Sequence, residues 1–122
     1  MKKFLYLLPL FFCLTTFAQK NEVFTSTKGK NELIQNKIDG NFAFILPDNI
    51  TEEEVKRNSS FYKIYFSVTF DTKTHEAVLK MQSNDPKSRH IISRFLTSFG
   101  ITTIETDGSF YTIEEFYDHF LK

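Results

Sequence analysis

A chain of 122 residues carries 15 lysines and arginines against 15 aspartates and glutamates, a single cysteine and no tryptophan. That length holds one small domain, and a formally neutral balance argues against nucleic acid or an anionic membrane as partner, since both draw on a basic excess. With Cys13 as the lone thiol, an intrachain disulfide and a cysteine-built metal centre are both excluded.

The chain opens with Met1-Lys2-Lys3, a short positive region, followed by an apolar run from Phe4 to Leu14 broken only by Pro9. Thr16-Phe17-Ala18 then places small residues at both positions that signal peptidase reads. Residues 1–18 are therefore predicted to be a secretory signal peptide, cleaved after Ala18. The run is shorter than the roughly 20 apolar residues a membrane crossing needs, so no transmembrane segment is expected in the mature chain. Phe12 is too bulky for the position before the cysteine of a lipobox, which weighs against lipidation of Cys13. The leader, ending in Phe17-Ala18-Gln19, resembles those of small exported proteins of Gram-negative bacteria, and the resemblance implies a periplasmic or secreted location. Cleavage also removes Lys2 and Lys3, leaving thirteen basic and fifteen acidic residues and no cysteine.

Residues 19–41 are polar and lysine-rich, and are expected to be a partly flexible N-terminal segment in which Leu33-Ile34 and Ile38 form at most a short strand turning at Asp39-Gly40. A single domain should occupy 42–122. Phe42 to Leu46 is apolar on both faces, as a central strand reads. Thr51 and Glu54 then write a capping box, with Ile50 and Val55 at the two positions of a hydrophobic staple. The acidic Glu52-Glu53-Glu54 complements the positive end of the helix dipole and needs no ligand to explain it.

From Phe61 to Gln82 the pattern predicts one long β-hairpin. Tyr62, Ile64, Phe66, Val68 and Phe70 alternate with polar neighbours, and after the turn at 71–74 Ala77, Leu79 and Met81 resume the period of two. A second helix is predicted from Asp85-Pro86, its apolar stripe made by Ile91, Ile92, Phe95, Leu96 and Phe99, with Gly100 and Ile101 closing it. Ile101 to Thr106 reads as a strand ending at Asp107-Gly108. Thr112 and Glu115 form another capping box, and Ile113, Phe116, Tyr117, Phe120 and Leu121 follow at amphipathic helical spacing.

The predicted class is α+β: a ferredoxin-like split βαβ, β-α-β-β-α-β, as a two-layer sandwich with a C-terminal amphipathic helix added. In plan, Phe42 to Thr106 resembles the small heavy-metal-associated domains. That family binds metal through two cysteines in the loop that here reads Pro47-Asp48-Asn49-Ile50, so its site has no counterpart in this chain.

No catalytic constellation is written in the sequence: it has no nucleophile elbow, phosphate-binding glycine loop or His-Glu-x-x-His helix. The expectation is a non-catalytic binding module without a cofactor, its partner an envelope protein. Lys87, His90 and Arg94 project from the second helix opposite its apolar stripe, with Arg89 at the border, and could receive an acidic partner. On the less apolar face of the hairpin, Tyr65 and Lys63 sit beside Phe61 and could add to a protein interface. The alternative is a metal- or small-ligand-binding sensor using Glu115 and His119, four apart on one helix face.

Overall fold

The computed structural model describes residues 23–122. The expected signal peptide and its cleavage site lie outside the described residues. The remainder is an α+β domain with one six-stranded mixed sheet in the order β3-β4-β2-β1-β5-β6. Its strands are β1 (Phe24–Ser26), β2 (Asn41–Ile45), β3 (Phe66–Asp71), β4 (Glu76–Met81), β5 (Thr103–Thr106) and β6 (Ser109–Thr112). Neighbours are antiparallel except β1 and β5, which run parallel. The helices are α1 (Lys30–Asp39), α2 (Glu52–Ser59), α3 (Pro86–Thr97) and α4 (Ile113–Phe116), the last continued by a π-helical turn over Tyr117–Leu121.

One face of the sheet carries the core. Phe42 and Phe44 lie in register with Leu79 and Ala77, and Thr25 with Ile104; all of these, and Leu46 just beyond β2, are buried. They form one cluster with Leu33 of α1, Val55 of α2, Ile92, Phe95 and Leu96 of α3, and Phe116 and Leu121 at the C-terminus. On the opposite face Ala43, Ile45, Val78 and Glu76 are only half-buried, while Lys80, Ser67 and Phe24 are exposed. The result is two layers, helices on one sheet face. The buried hydroxyls on the core side are partnered: Thr25 donates to the Ile45 carbonyl at 2.5 Å, and Thr106 shares a hydrogen bond of 2.8 Å with Thr27.

The N-terminal segment departs most from expectation. In place of a short strand over Leu33–Ile38 there is a helix of ten residues, and Phe24–Ser26 is an interior strand of the sheet. The helix start is capped from far along the chain: the Lys30 N–H donates to Asp107 Oδ2 at 3.0 Å. Gly29 permits this approach, with φ at 109° and an added Cβ only 2.7 Å from Asp107 Oδ1. A cap 77 residues distant leaves no local signature.

β1 also changes the topology. The split plan would set β2 beside β5, and β1 instead stands between them, paired to both. The hairpin begins at Phe66, five residues later than its alternation suggests. Ahead of it, Ser60–Tyr62 is a 3₁₀ turn. Ser59 and Ser60 hydroxyls donate to the Lys56 and Arg57 carbonyls, at 3.1 and 2.6 Å, and carry the helical path onward. Tyr62 is held there by stacking on Phe66, centroids 5.9 Å apart, and by an edge contact with Phe95. A sixth strand, β6, follows the Asp107–Gly108 turn, where both residues have positive φ, 52° and 83°, as a tight hairpin requires.

The three predicted N-terminal caps form, whereas α3 ends at Thr97 with Ser98 as its C-cap, short of the Gly100 expected to close it. Thr51 and Glu54 make both bonds of their box, as do Thr112 and Glu115, and Asp85 Oδ1 accepts from the Ser88 N–H at 2.8 Å. The Ser88 hydrogen bonds hold the Asp85 carboxyl below its ordinary 3.8, and the Thr112 bonds hold Glu115 below 4.5. Carboxylates whose folded pKa is depressed stabilise the fold above their unfolded values, and lose that contribution as pH falls through the folded ones. Melting temperature is therefore expected to drop below about pH 4, and Asp85→Asn with Glu115→Gln should flatten that acid limb. Equal acid slopes for wild type and double variant would remove both groups from the account.

Candidate functional site

A cleft opens where three helical ends of the described residues converge. α1 shows Leu33 to the core, which turns Ile34 and Ile38, one turn apart, outward; they are 62% and 69% exposed. Beside them a cleft of about 430 Å³ is lined by Leu33, Ile34, Ile38 and Phe120, with Lys37, Asn84, Arg89 and His119 supplying the polar groups. Its size falls in the range of small-molecule and side-chain pockets.

Arg89 is the floor of this arrangement. It lies on α3 and is only 5% exposed. Its Nε donates to the Leu121 carbonyl at 2.5 Å, one terminal nitrogen to Asn84 Oδ1 at 2.8 Å, and the other to the Lys122 carbonyl at 3.3 Å. Asn84 passes the restraint on, its Nδ2 donating to the Lys37 carbonyl at the end of α1 at 2.7 Å. One guanidinium thus joins α1, α3 and the C-terminal turn. No aspartate or glutamate forms an ion pair with it among the described residues. Its acceptors are two backbone oxygens and one side-chain amide oxygen, and a buried guanidinium without an aspartate or glutamate beside it can still attract an anion.

The other predicted site residues are distributed differently. Lys87 and Arg94 are exposed on α3. His90 is drawn toward α4, with Nε2 3.5 Å from Glu114 Oε1 and its ring 4.0 Å from that of Tyr117. The basic stripe is therefore divided: Arg89 turns inward, His90 joins two helices, and Lys87 and Arg94 face solvent. Lys63 is exposed and Tyr65 half-buried, both in the turn preceding β3, where they do not share a sheet face. The Tyr65 carbonyl is taken by the Gln82 N–H at 2.9 Å.

Glu115 and His119 each have further contacts of their own. The Glu115 carboxylate accepts from the Thr112 N–H at 2.8 Å within the capping box, while the His119 ring packs 5.5 Å from Tyr111. Among the described residues no group of three histidine, aspartate or glutamate side chains gathers in metal-binding geometry. His75, in the turn before β4, has a left-handed backbone, stands edge-on to Phe70 at 5.4 Å, and its Nδ1 is buried without a hydrogen bond.

Two ion pairs mark the surface. Lys28 meets Glu76 at 2.5 Å across the open face of the sheet, and that partner raises the lysine's pKa. Lys56 and Glu52 sit 3.9 Å apart on α2. Neither borders the cleft. No helix among the described residues is long and apolar enough to cross a membrane. Sequence reasoning reached Arg89 and His119 but missed Ile34, Ile38, Lys37 and Asn84; their available signal was the i, i+4 spacing of the two isoleucines inside a glycine-bounded segment. No family model, curated protein or solved structure matches this chain.

Proposed function

We propose that the chain is a non-catalytic binding module of the bacterial envelope, and that it grips an apolar segment carrying an acidic group on another envelope protein. The observation that carries this is the α1 cleft. Its rim of exposed Ile34 and Ile38 surrounds a cavity into which Lys37, Arg89 and His119 bring nitrogen donors, with no aspartate or glutamate side chain in its lining. An apolar anchor would bury against the isoleucines and Phe120, while an adjoining carboxylate would meet the cationic side. The leader pattern of residues 1–18 supports the envelope setting.

The fold is read as a ferredoxin-like plan with one strand inserted. Leaving out this inserted strand, β1, and the added edge strand, β6, gives β3-β4-β2-β5. That is the order two interleaved βαβ units produce, β2-α2-β3 flanking β4 and β4-α3-β5 flanking β2. A second reading, a small-ligand sensor, is favoured by the cleft's volume of about 430 Å³, enough for a short amphiphilic carboxylate.

Chemical cross-linking in envelope extracts tests the main reading. Ile34→Glu with Ile38→Glu places two anions at the cleft rim and is expected to lower capture at least tenfold with the melting temperature nearly unchanged, because both side chains are exposed. Lys87→Glu with Arg94→Glu, on the other face of α3, should leave capture intact. The reverse pattern would move the partner to the basic helix face. A small mass retained in native mass spectra, and lost in the isoleucine variant, would favour the sensor.

A further inference from the structure

Among the described residues the sheet ends on one side in β3, six residues with no neighbouring strand beyond them. The hydrogen bond from the Gln82 N–H to the Tyr65 carbonyl, in register with Phe66↔Met81, sets which residues face inward. In an antiparallel pair the bonded positions alternate, so Ser67, Thr69 and Asp71 bond to β4. Phe66, Val68 and Phe70 therefore project their N–H and C=O groups away from the sheet. This outward set is centred on Val68.

We propose that two copies of the chain pair through β3, antiparallel about a twofold axis at Val68, making one continuous twelve-stranded sheet from two six-stranded ones. A twofold axis normal to the sheet keeps helix faces together and matches each residue with one on the same face. Val68 then opposes its own copy, and Phe66 opposes Phe70 of the second chain. All outward backbone groups of these residues are satisfied, because each opposed pair exchanges two hydrogen bonds. Side chains agree with the register. On the helix side half-buried Val68 and Phe70 gain apolar neighbours, while on the open side Ser67 meets Thr69. Asp71, the only charge in the strand, opposes Tyr65, so no like charges collide.

The edge also lacks the devices that keep edges single. β3 contains no lysine, no proline and no bulge against β4. The opposite edge, β6, is protected by being four residues long and passing directly into α4. Next to β3, Phe61 and Ile64 are 76% and 78% exposed, the two most exposed large apolar side chains among the described residues. Antiparallel pairing brings them alongside the Phe70–Thr72 end of the second copy, which gives that otherwise costly exposure a cover.

The mass of the full chain, expressed with its leader and purified, is read by native mass spectrometry and sedimentation. Twice the single-chain mass is expected. Val68→Pro removes an outward N–H, which costs no bond within the chain, and should return the mass to one chain with an unchanged circular dichroism spectrum. Register is tested independently of that variant's folding, in a Cys13→Ser background. Ser67→Cys with Thr69→Cys sets two cross-chain pairs of Cα atoms about 4.5 Å apart, within disulfide reach, so oxidation should yield a covalent dimer. Either cysteine alone lies diagonally from its copy, about 7–8 Å away, and should cross-link far less. A single-chain mass at every concentration, a dimer indifferent to Val68→Pro in a folded protein, or single cysteines that cross-link as well as the pair would each overturn the proposal.

Discussion

Phe95→Ala is expected to destabilise the domain by about 3–5 kcal/mol, a large share of the roughly 5–15 kcal/mol available to a domain of this kind. The ring is fully buried on the core side of α3. It makes edge contacts to Phe66, Tyr62 and Phe99 at centroid separations of 5.5, 5.9 and 5.1 Å. Tyr62 and Phe66 are themselves stacked, so deleting Phe95 opens a cavity between α3, the 3₁₀ turn and the first strand of the hairpin. The surrounding rings are rigid and belong to three different elements, which limits how far they can close the void. Urea midpoints at constant slope measure the loss. Phe95→Leu should recover part of it by restoring volume without the aromatic edges. Phe110→Ala is the contrast: this ring is 60% exposed and stands edge-on to Phe24 across the open face, so its loss should stay below about 1 kcal/mol. A Phe95→Ala cost as small as that of Phe110→Ala would show that the aromatic cluster is not the centre of the core.

What the sequence made legible follows from how local each cause is. Both capping boxes, the Asp85 cap and the stripe of α3 depend on residues within a turn or two of each other, and each formed as written. The α+β class was legible for the same reason. α1 was not, because its first N–H is capped by Asp107 from the β5–β6 turn and it buries only Leu33 among ten residues. β1 is three residues long and owes its place to partners on both sides, so no pattern of its own could announce it. The early half of the expected hairpin failed through competition. Tyr62 and Ile64 keep the period of two, but the serine hydroxyls and the packing of Tyr62 on Phe66 and Phe95 favour a helical turn. The candidate site inherits these gaps. Its sequence neighbours place Arg89 only at the border of a solvated face, because its acceptors, the Leu121 and Lys122 backbone oxygens, lie more than thirty residues away. Lys37, Ile34 and Ile38 could not be placed around it while their helix went unread.

Arg89→Met should be the most damaging polar substitution, costing about 3 kcal/mol through the acceptors it strands. The methionine retains much of the arginine's apolar stem, so the loss is assigned to the guanidinium rather than to volume. With it go donors to the Leu121 carbonyl, the Lys122 carbonyl and Asn84 Oδ1. Among the described residues no aspartate or glutamate pairs with Arg89, so none is orphaned, and the penalty is set by stranded oxygen acceptors rather than by a buried acidic side chain. The damage should be directional. Amide exchange should accelerate first at Lys122, whose N–H closes the π-helical turn on the Tyr117 carbonyl at 2.9 Å, and then at the end of α1, where Asn84 loses its anchor. Arg89→Lys restores charge and one or two bonds, but a single ammonium cannot reproduce the planar fork that reaches three acceptors, so stability should return only in part. Asn84→Ala separates the branches, loosening α1 while the C-terminal turn stays protected. If Arg89→Met left exchange at both places unchanged, the three helical ends would be held together by apolar packing alone, and the cleft they enclose would owe its shape to Leu33, Phe116 and Leu121 rather than to a buried cation.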